Sequence, residues 1–217
     1  MSIDPQNKSR QAPVKFGDFT VTSSAFAKSA ISLKGVPNEG VPQVAFLGRS
    51  NVGKSSLLNA LMGQKKLVKV SSTPGKTREL NFFKVNDAFF LVDLPGVGFA
   101  QVSVAKRDEM AKFIREYVEK CKDLCGLVYL VDIRHGGTPI DIETVESIRA
   151  TGCPVLVVAS KRDKVNQTEL AKNLKLIQER LSLPTPPLCV SVLKKFGLEA
   201  LWQEILGAIN GTNDAER

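Results

Sequence analysis

The chain is poor in the residues that most often announce chemistry. It has one histidine, His135, and four cysteines, Cys121, Cys125, Cys153 and Cys189, in 217 residues. A single histidine excludes a histidine-based metal cluster, and no C-x-x-C pair offers two thiolates at ligand spacing. Four scattered cysteines are also too few for a disulfide scaffold, so they read as structural thiols in a reducing compartment. Aromatic residues make up only 6%, and no aromatic-rich platform for stacking single-stranded RNA is visible. No run of about 18 apolar residues occurs, which excludes a membrane-spanning helix, and the N-terminus lacks the apolar core of a signal peptide. The expected location is the cytoplasm. There is no internal repeat and no low-complexity segment.

What is present is ordinary globular material: 43% hydrophobic and 24% charged residues, enough for one α/β domain. Residues 1–18 and 211–217 are polar and read as tails, leaving 19–210 as the domain. Thirty Lys and Arg against 22 Asp and Glu give a net charge of +8. That surplus fits a polyanionic partner such as nucleic acid, and equally a basic protein that is merely soluble.

Six apolar runs have strand length: Val41–Leu47, Leu80–Val85, Ala88–Val92, Gly126–Asp132, Pro154–Ser160 and Leu188–Val192. Helical patterns fall between or after them, at Lys54–Met62, Val104–Lys120, Ile140–Ala150, Thr168–Leu181 and Leu198–Ile209. The last-but-one carries Leu170, Leu174, Ile177 and Leu181 on one stripe. Alternating strands and helices predict a three-layer α/β/α sandwich with a six-stranded, mostly parallel sheet. The turn residues Asn86 and Asp87 make the second and third strands an antiparallel pair, which supplies one antiparallel edge strand. Residues 19–40 are ambiguous, with a short helix possible over Ser24–Leu33.

Gly48 to Ser55 reads GRSNVGKS, directly after an apolar strand and at the start of a helical pattern, the context that a phosphate-binding loop requires. Glycines at Gly48 and Gly53 let the backbone of Arg49, Ser50, Asn51 and Val52 turn its N–H groups toward phosphates. Lys54 would neutralise β- and γ-phosphate oxygens, and the Ser55 hydroxyl would sit on Mg²⁺. Asp93, Leu94, Pro95 and Gly96 follow the next strand and put a carboxylate at a strand's carboxyl end, where open α/β sheets bind ligands. Asp93 suits a water-mediated hold on Mg²⁺, and the Gly96 N–H suits sensing of the γ-phosphate. Residues 97–100 then read as a segment able to switch.

Ser160, Lys161, Arg162 and Asp163 end a further apolar run. A carboxylate at Asp163 can accept two hydrogen bonds from guanine, a pairing adenine cannot offer. It is also a good first-turn helix residue, and the residues alone leave both readings standing. Val190, Ser191 and Val192 close the last strand near the same place.

Taken in order, these segments resemble the translation-factor-related P-loop GTPases and, more narrowly, the EngB (YihA, YsxC) family. The resemblance rests on GRSNVGKSSLLNAL at 48–61, STPGKT at 72–77, NFF at 81–83, DLPGVGFAQVS at 93–103, VDIRHG at 131–136, SKRDK at 160–164 and SVLKKFG at 191–197. It implies a GTPase that assists assembly of the large ribosomal subunit and affects cell division and septation. Apart from the resemblance, a monomer is the default expectation, and nothing in the sequence predicts stable membrane association. It further implies Thr77 as a switch residue on Mg²⁺, with Gly75, Lys76, Arg78 and Glu79 near the phosphates, and Lys54, Thr77 and Gly96 as the catalytic set. Lys161 would pack along the base and Asp163 would read it. Two departures stand out. Ser160 replaces the usual Asn, and Val97 occupies the position of a water-orienting Gln, so unaided hydrolysis should be slow. Related GTPases use an Asn at the position of Asn51 to help hold K⁺; an Asn satisfying the loop backbone is the other reading. Basic clusters at Lys65, Lys66 and Lys69, at Lys106 and Arg107, at Lys120 and Lys122, and at Lys194 and Lys195 suit phosphates of ribosomal RNA. A nucleoside or small-molecule kinase is the rival reading, although no Arg-rich lid is visible.

Overall fold

The computed structural model describes residues 12–68, 79–98 and 103–214. Among these residues, nine strands and five α-helices follow in the order β1 (Val14–Phe16), β2 (Phe19–Val21), β3 (Ser24–Ala30), β4 (Gln43–Gly48), α1 (Lys54–Leu61), β5 (Leu80–Val85), β6 (Phe89–Asp93), α2 (Val104–Lys120), β7 (Leu124–Asp132), α3 (Pro139–Arg149), β8 (Val155–Ser160), α4 (Gln167–Arg180), β9 (Leu188–Cys189) and α5 (Leu198–Asp214). Strands β3 to β9 form one sheet in the order β3-β5-β6-β4-β7-β8-β9, and β1 and β2 form a separate hairpin.

The sheet is buried on both faces, and strict alternation along β4 decides which helix meets which side chain. Val44 and Phe46 face a core shared with Leu57, Leu58 and Leu61 of α1 and Leu201, Trp202 and Ile205 of α5. Ala45 and Leu47 face the opposite core, built with Tyr117 of α2, Ile148 of α3 and Ile177 of α4. Every residue of β4 is buried, as a central parallel strand requires. Local signals start the helices. Thr138 opens α3, with its amide and hydroxyl both donating to Asp141 at 2.7 Å and Pro139 at the first helical position. Asn166 and Glu169 form the corresponding reciprocal pair at the start of α4.

The expected α/β/α layering and the five helices are present, with three corrections to the sheet. It has seven strands, because Ser24–Ala30, within the ambiguous stretch where a short helix over Ser24–Leu33 was possible, is β3. Its three alanines favour helix, and pairing with β5 overrides that preference, with Ser29 Oγ donating to Asn81 Oδ1 at 2.7 Å. The antiparallel strand β5 is therefore not an edge; it lies between β3 and β6 and runs against both. Asn86 and Asp87, at φ 51° and 54°, make the tight β5–β6 turn. Lastly, the final strand is two residues long, because after Val190 the chain folds into a turn closed by reciprocal backbone hydrogen bonds between Ser191 and Phe196 at 3.0 Å.

Residues 14–18 had been expected within the N-terminal tail, yet β1 and β2 pack their apolar side chains on α5. The Trp202 ring lies 4.6 Å from Phe19, 6.0 Å from Phe16 and 5.9 Å from Phe89, centroid to centroid. At the other end α5 runs to Asp214, past the expected start of the C-terminal tail at 211. All four cysteines are free thiols, and burial raises Cys121, Cys189 and Cys153, the last to about 11, which fits packing roles. Among the described residues no helix is long and apolar enough to cross a membrane.

Trp202 is fully buried, and its indole N–H meets no acceptor among the described residues. Trp202→Ala should cost about 3–5 kcal/mol. Trp202→Phe, which removes the unpaired donor together with a smaller volume, should cost about 1 kcal/mol. Urea denaturation followed by circular dichroism separates the two; equal losses would mean that the cluster does not support the fold as described.

Candidate nucleotide site

Four parallel strands, β6, β4, β7 and β8, end side by side, and the loops leaving them converge on the turn between β4 and α1. Two glycines make this turn possible for different reasons. A Cβ on Gly48 would lie 2.8 Å from the Leu130 carbonyl oxygen of β7, so the loop can lie this close only without a side chain there. Gly53 has open space around it but adopts φ 102°, a left-handed backbone that penalises a side chain. Asn51 is also left-handed, at φ 61°, a conformation Asn tolerates better than most residues. Its exposed side chain makes no hydrogen bond among the described residues. The loop backbone is therefore not what that amide satisfies.

Lys54 and Ser55 open α1, and the Lys54 ammonium forms an ion pair with the Asp93 carboxylate at the end of β6, both nearly buried. A cation suited to phosphate and a carboxylate suited to a metal's water shell thus meet at one helix N-terminus, with the Ser55 hydroxyl in the same turn. This donor set fits Mg²⁺, which takes few protein ligands beside phosphate and water. After Asp93, Leu94 and Pro95 are buried, the Leu94 amide donating to Phe46 O at 3.0 Å. Past Gly96 the chain docks on the loop itself: Val97 N donates to Gly48 O at 3.1 Å and Ser50 N to Val97 O at 3.3 Å. The Val97 side chain packs against the core. Arg49 lies under the same segment, its buried Nε without a partner among the described residues and 3.8 Å from where a Cβ on Gly98 would stand.

On the other side, Ser160 hydroxyl donates to Val52 O at 2.8 Å and is within 3.2 Å of Val131 O, tying the end of β8 to the loop and to β7. The hydroxyl standing in for Asn thus has a structural task. Lys161, left-handed at φ 62°, reaches back so that Nζ donates to Asn51 O at 2.6 Å. Asp163 Oδ1 accepts from Ser191 Oγ at 2.6 Å, and this bond holds the Asp163 carboxyl below the usual range against the opposing effect of burial. Val190 N donates to Ala159 O and Arg162 N to Val190 O, which sets the two base-side loops against each other. Val192 is half-buried beside them.

Most of the expected site is thereby brought together: Gly48 to Ser55, Asp93 to Gly96, Ser160, Lys161, Asp163 and Ser191. Arg162 is not part of the convergence, because its guanidinium is bound to Val165 O and Gln167 Oε1 at the start of α4. Glu79 is exposed at the start of β5. Gly75, Lys76, Thr77 and Arg78 lie outside the described residues, as do Lys69 and residues 99–102. One residue of the site was missed. Asp132, at the end of β7, contacts Lys161 Nζ at 2.9 Å and Arg134 Nη2 at 2.6 Å. The signal was available, since Asp132 ends an apolar strand just as Asp93 does.

The comparisons agree with this geometry. Residues 43–161, more than half of the chain, match the family model of the 50S ribosome-binding GTPases. The probable GTP-binding protein EngB of Alkaliphilus metalliredigens is 43% identical over 184 residues, covering 84% of this chain and 88% of that protein. The chain belongs to the EngB family of GTPases. The EngB of Clostridium beijerinckii is 50% identical over 163 residues, 75% of this chain and 82% of its relative. A crystal structure of a probable EngB superposes with a TM-score of 0.66 at 25% identity, covering 78% of this chain and 99% of that one. Era in complex with MgGDPNP and part of 16S ribosomal RNA gives 0.61 at 25% identity, covering 77% of this chain and 56% of its own. Membership in EngB sets the kinase alternative aside.

The Ser191–Asp163 bond carries a pH signature. A carboxyl depressed in the folded state contributes stability above its unfolded value, 3.8, and loses it as pH falls through the folded value. Ser191→Ala should therefore destabilise the protein by about 1–3 kcal/mol at pH 7, and the gap to wild type should narrow below pH 4. Thermal melting of both proteins across pH 2–7 reads this; a gap that does not change with pH would exclude the bond as its source.

Proposed function

We propose that this EngB-family GTPase is a GTP-controlled switch that engages the large ribosomal subunit during its assembly in the cytoplasm, with an effect on cell division that follows from the supply of subunits. One observation carries the switch: the segment after Gly96 is hydrogen-bonded directly to the phosphate loop through Val97, Gly48 and Ser50. A γ-phosphate that draws on the Gly96 amide pulls on this segment, and its loss on hydrolysis releases it.

The residues divide the work as follows. The Gly48–Ser55 backbone holds the phosphates and Lys54 neutralises them. Ser55, with Thr77 and, through water, Asp93, would hold Mg²⁺, which would supply charge stabilisation to the phosphates. Lys161 lines the base and Asp163 accepts from it. Gly75 to Glu79 belong to the same ligand set by their position in the motif. Val97, packed inward, has no group to orient water, so GTP turnover by the isolated protein is slow. The exposed Asn51 amide is available for K⁺ beside the phosphates, where a monovalent cation offsets developing charge. As an expected outcome, turnover of GTP is several-fold faster in K⁺ than in Na⁺ at equal ionic strength; phosphate-release assays giving equal rates would remove Asn51 from this role.

Binding to the subunit is assigned to the basic surface. Lys54 and Lys161 are engaged in the site, whereas Lys65, Lys66, Lys106, Arg107, Lys120, Lys122, Lys194 and Lys195 are exposed. These side chains suit RNA phosphates, and the description of the matching family, a 50S ribosome-binding GTPase, names a partner with that chemistry. The chain works as a monomer and needs no membrane anchor. Co-sedimentation with 50S particles should be strong with a non-hydrolysable GTP analogue, weaker with GDP, and reduced at higher salt. Equal pelleting in both nucleotide states would rule out the switch.

A further inference from the structure

Three strands bring a polar residue to the carboxyl edge of the sheet beside the phosphate loop: β6 ends on Asp93, β8 on Ser160 and β7 on Asp132. The first two already have tasks in the nucleotide site. Asp132 sits at the wall of a small cavity of about 120 Å³ that it shares with Arg49, Asn51, Arg134 and Lys161. That volume is well below the roughly 300 Å³ at which ligand pockets begin, so the cavity is not itself the nucleotide's place. Its polar lining is better explained by what the side chains do to one another.

The Asp132 carboxylate is saturated. Oδ1 accepts from the Arg134 amide at 3.1 Å and from its Nε at 2.9 Å, while Oδ2 accepts from Arg134 Nη2 at 2.6 Å and contacts Lys161 Nζ at 2.9 Å. The Lys161 ammonium thus lies between two acceptors on two different elements, the Asp132 carboxylate on β7 and the Asn51 carbonyl on the phosphate loop. A lysine side chain otherwise samples many rotamers, and selecting one costs conformational entropy. Here it leaves a left-handed backbone and is only 27% exposed, already drawn out along one path. Burial alone would raise the Asp132 carboxyl, but the hydrogen bonds from Arg134 and Lys161 outweigh it and hold the group well below the usual carboxylate range. It stays ionised under all working conditions. Arg134 is a second cation on the single Asp132 carboxylate, so the trio carries one net positive charge beside the phosphate loop and does not repel an anionic ligand.

From this geometry we infer that Asp132 is a positioning residue for the guanine nucleotide: it anchors the Lys161 ammonium and so pre-sets the lysine stem as one wall of the base site. The inference rests on the reading of Lys161 as the residue along the base. A tethered lysine has less ordering left to do when the nucleotide arrives. Without the tether the stem is free to leave the base, and the nucleotide escapes faster.

A double-mutant cycle distinguishes this role from a purely structural one. Four full-length proteins, wild type, Asp132→Asn, Lys161→Met and the double variant, are compared for GDP affinity by calorimetry and for release of a fluorescent GDP analogue by stopped flow. Lys161→Met is expected to weaken GDP binding about tenfold or more. Asp132→Asn is expected to weaken it about tenfold in the wild-type background, mainly through faster release, and less than twofold when Lys161 is already Met. An Asp132→Asn effect of equal size in both backgrounds overturns the inference while leaving the base reading intact. No loss in Lys161→Met alone removes the base reading, and the inference with it. If Asp132→Asn does not stay folded, Asp132→Glu, which keeps the charge on a longer arm, goes through the same cycle and is judged by the same rule.

Discussion

With no side chain at Gly48, the phosphate loop lies directly against β7, at a distance where a Cβ would come within 2.8 Å of the Leu130 carbonyl oxygen. The other contacts of the site presuppose that approach. It sets Val52 into the core with its carbonyl facing the Ser160 hydroxyl, and it brings the Asn51 carbonyl within reach of Lys161. It also aims the first turn of α1 at Asp93. Left-handed backbone at Asn51 and Lys161 costs energy locally. The bond from Lys161 Nζ to Asn51 O joins the two residues, and the ion pair of Lys161 with Asp132 ties them to β7.

Charge is arranged with the same economy. The two lysines that reach into the site are each paired with a strand-end aspartate, Lys54 with Asp93 and Lys161 with Asp132. An arriving nucleotide therefore exchanges contacts with groups that are already oriented, rather than ordering free side chains, and this is how an electrostatic site keeps its reorganisation cost low.

The strongly periodic and apolar segments were legible in the sequence: five helices, the central parallel strands, and the β5–β6 turn at Asn86 and Asp87. So was the phosphate loop, because its spacing, its preceding strand and its following helix all pointed the same way. β3 was not legible, because SAFAKSA has no decisive pattern and its state is set by a partner far along the chain. The place of β5 inside the sheet followed from the same gap. The hairpin at 14–21 was hidden because its significance lies in Phe16 and Phe19 meeting Trp202, a contact between the two ends of the chain. In the site, Asp132 was quoted within a motif yet given no task, since its role appears only when Lys161 is seen to bend toward it. Arg162 was expected beside Lys161 and Asp163 at the nucleotide, and its side chain is turned to α4.

The position of β3 bears on how the chain is made. Ser29 and its partner Asn81 stand 52 residues apart. A chain emerging from the ribosome presents β3 long before there is a sheet to receive it. The first segment of the sheet to be synthesised is thus an outermost strand whose place exists only after β5 and β6 have turned back on themselves at Asn86. Until then Phe26 and the other apolar side chains of this region have no surface to cover. The edge that completes the fold is made before both of the strands it depends on and is among the last to dock, which makes β3 the strand of the sheet most in need of protection during synthesis.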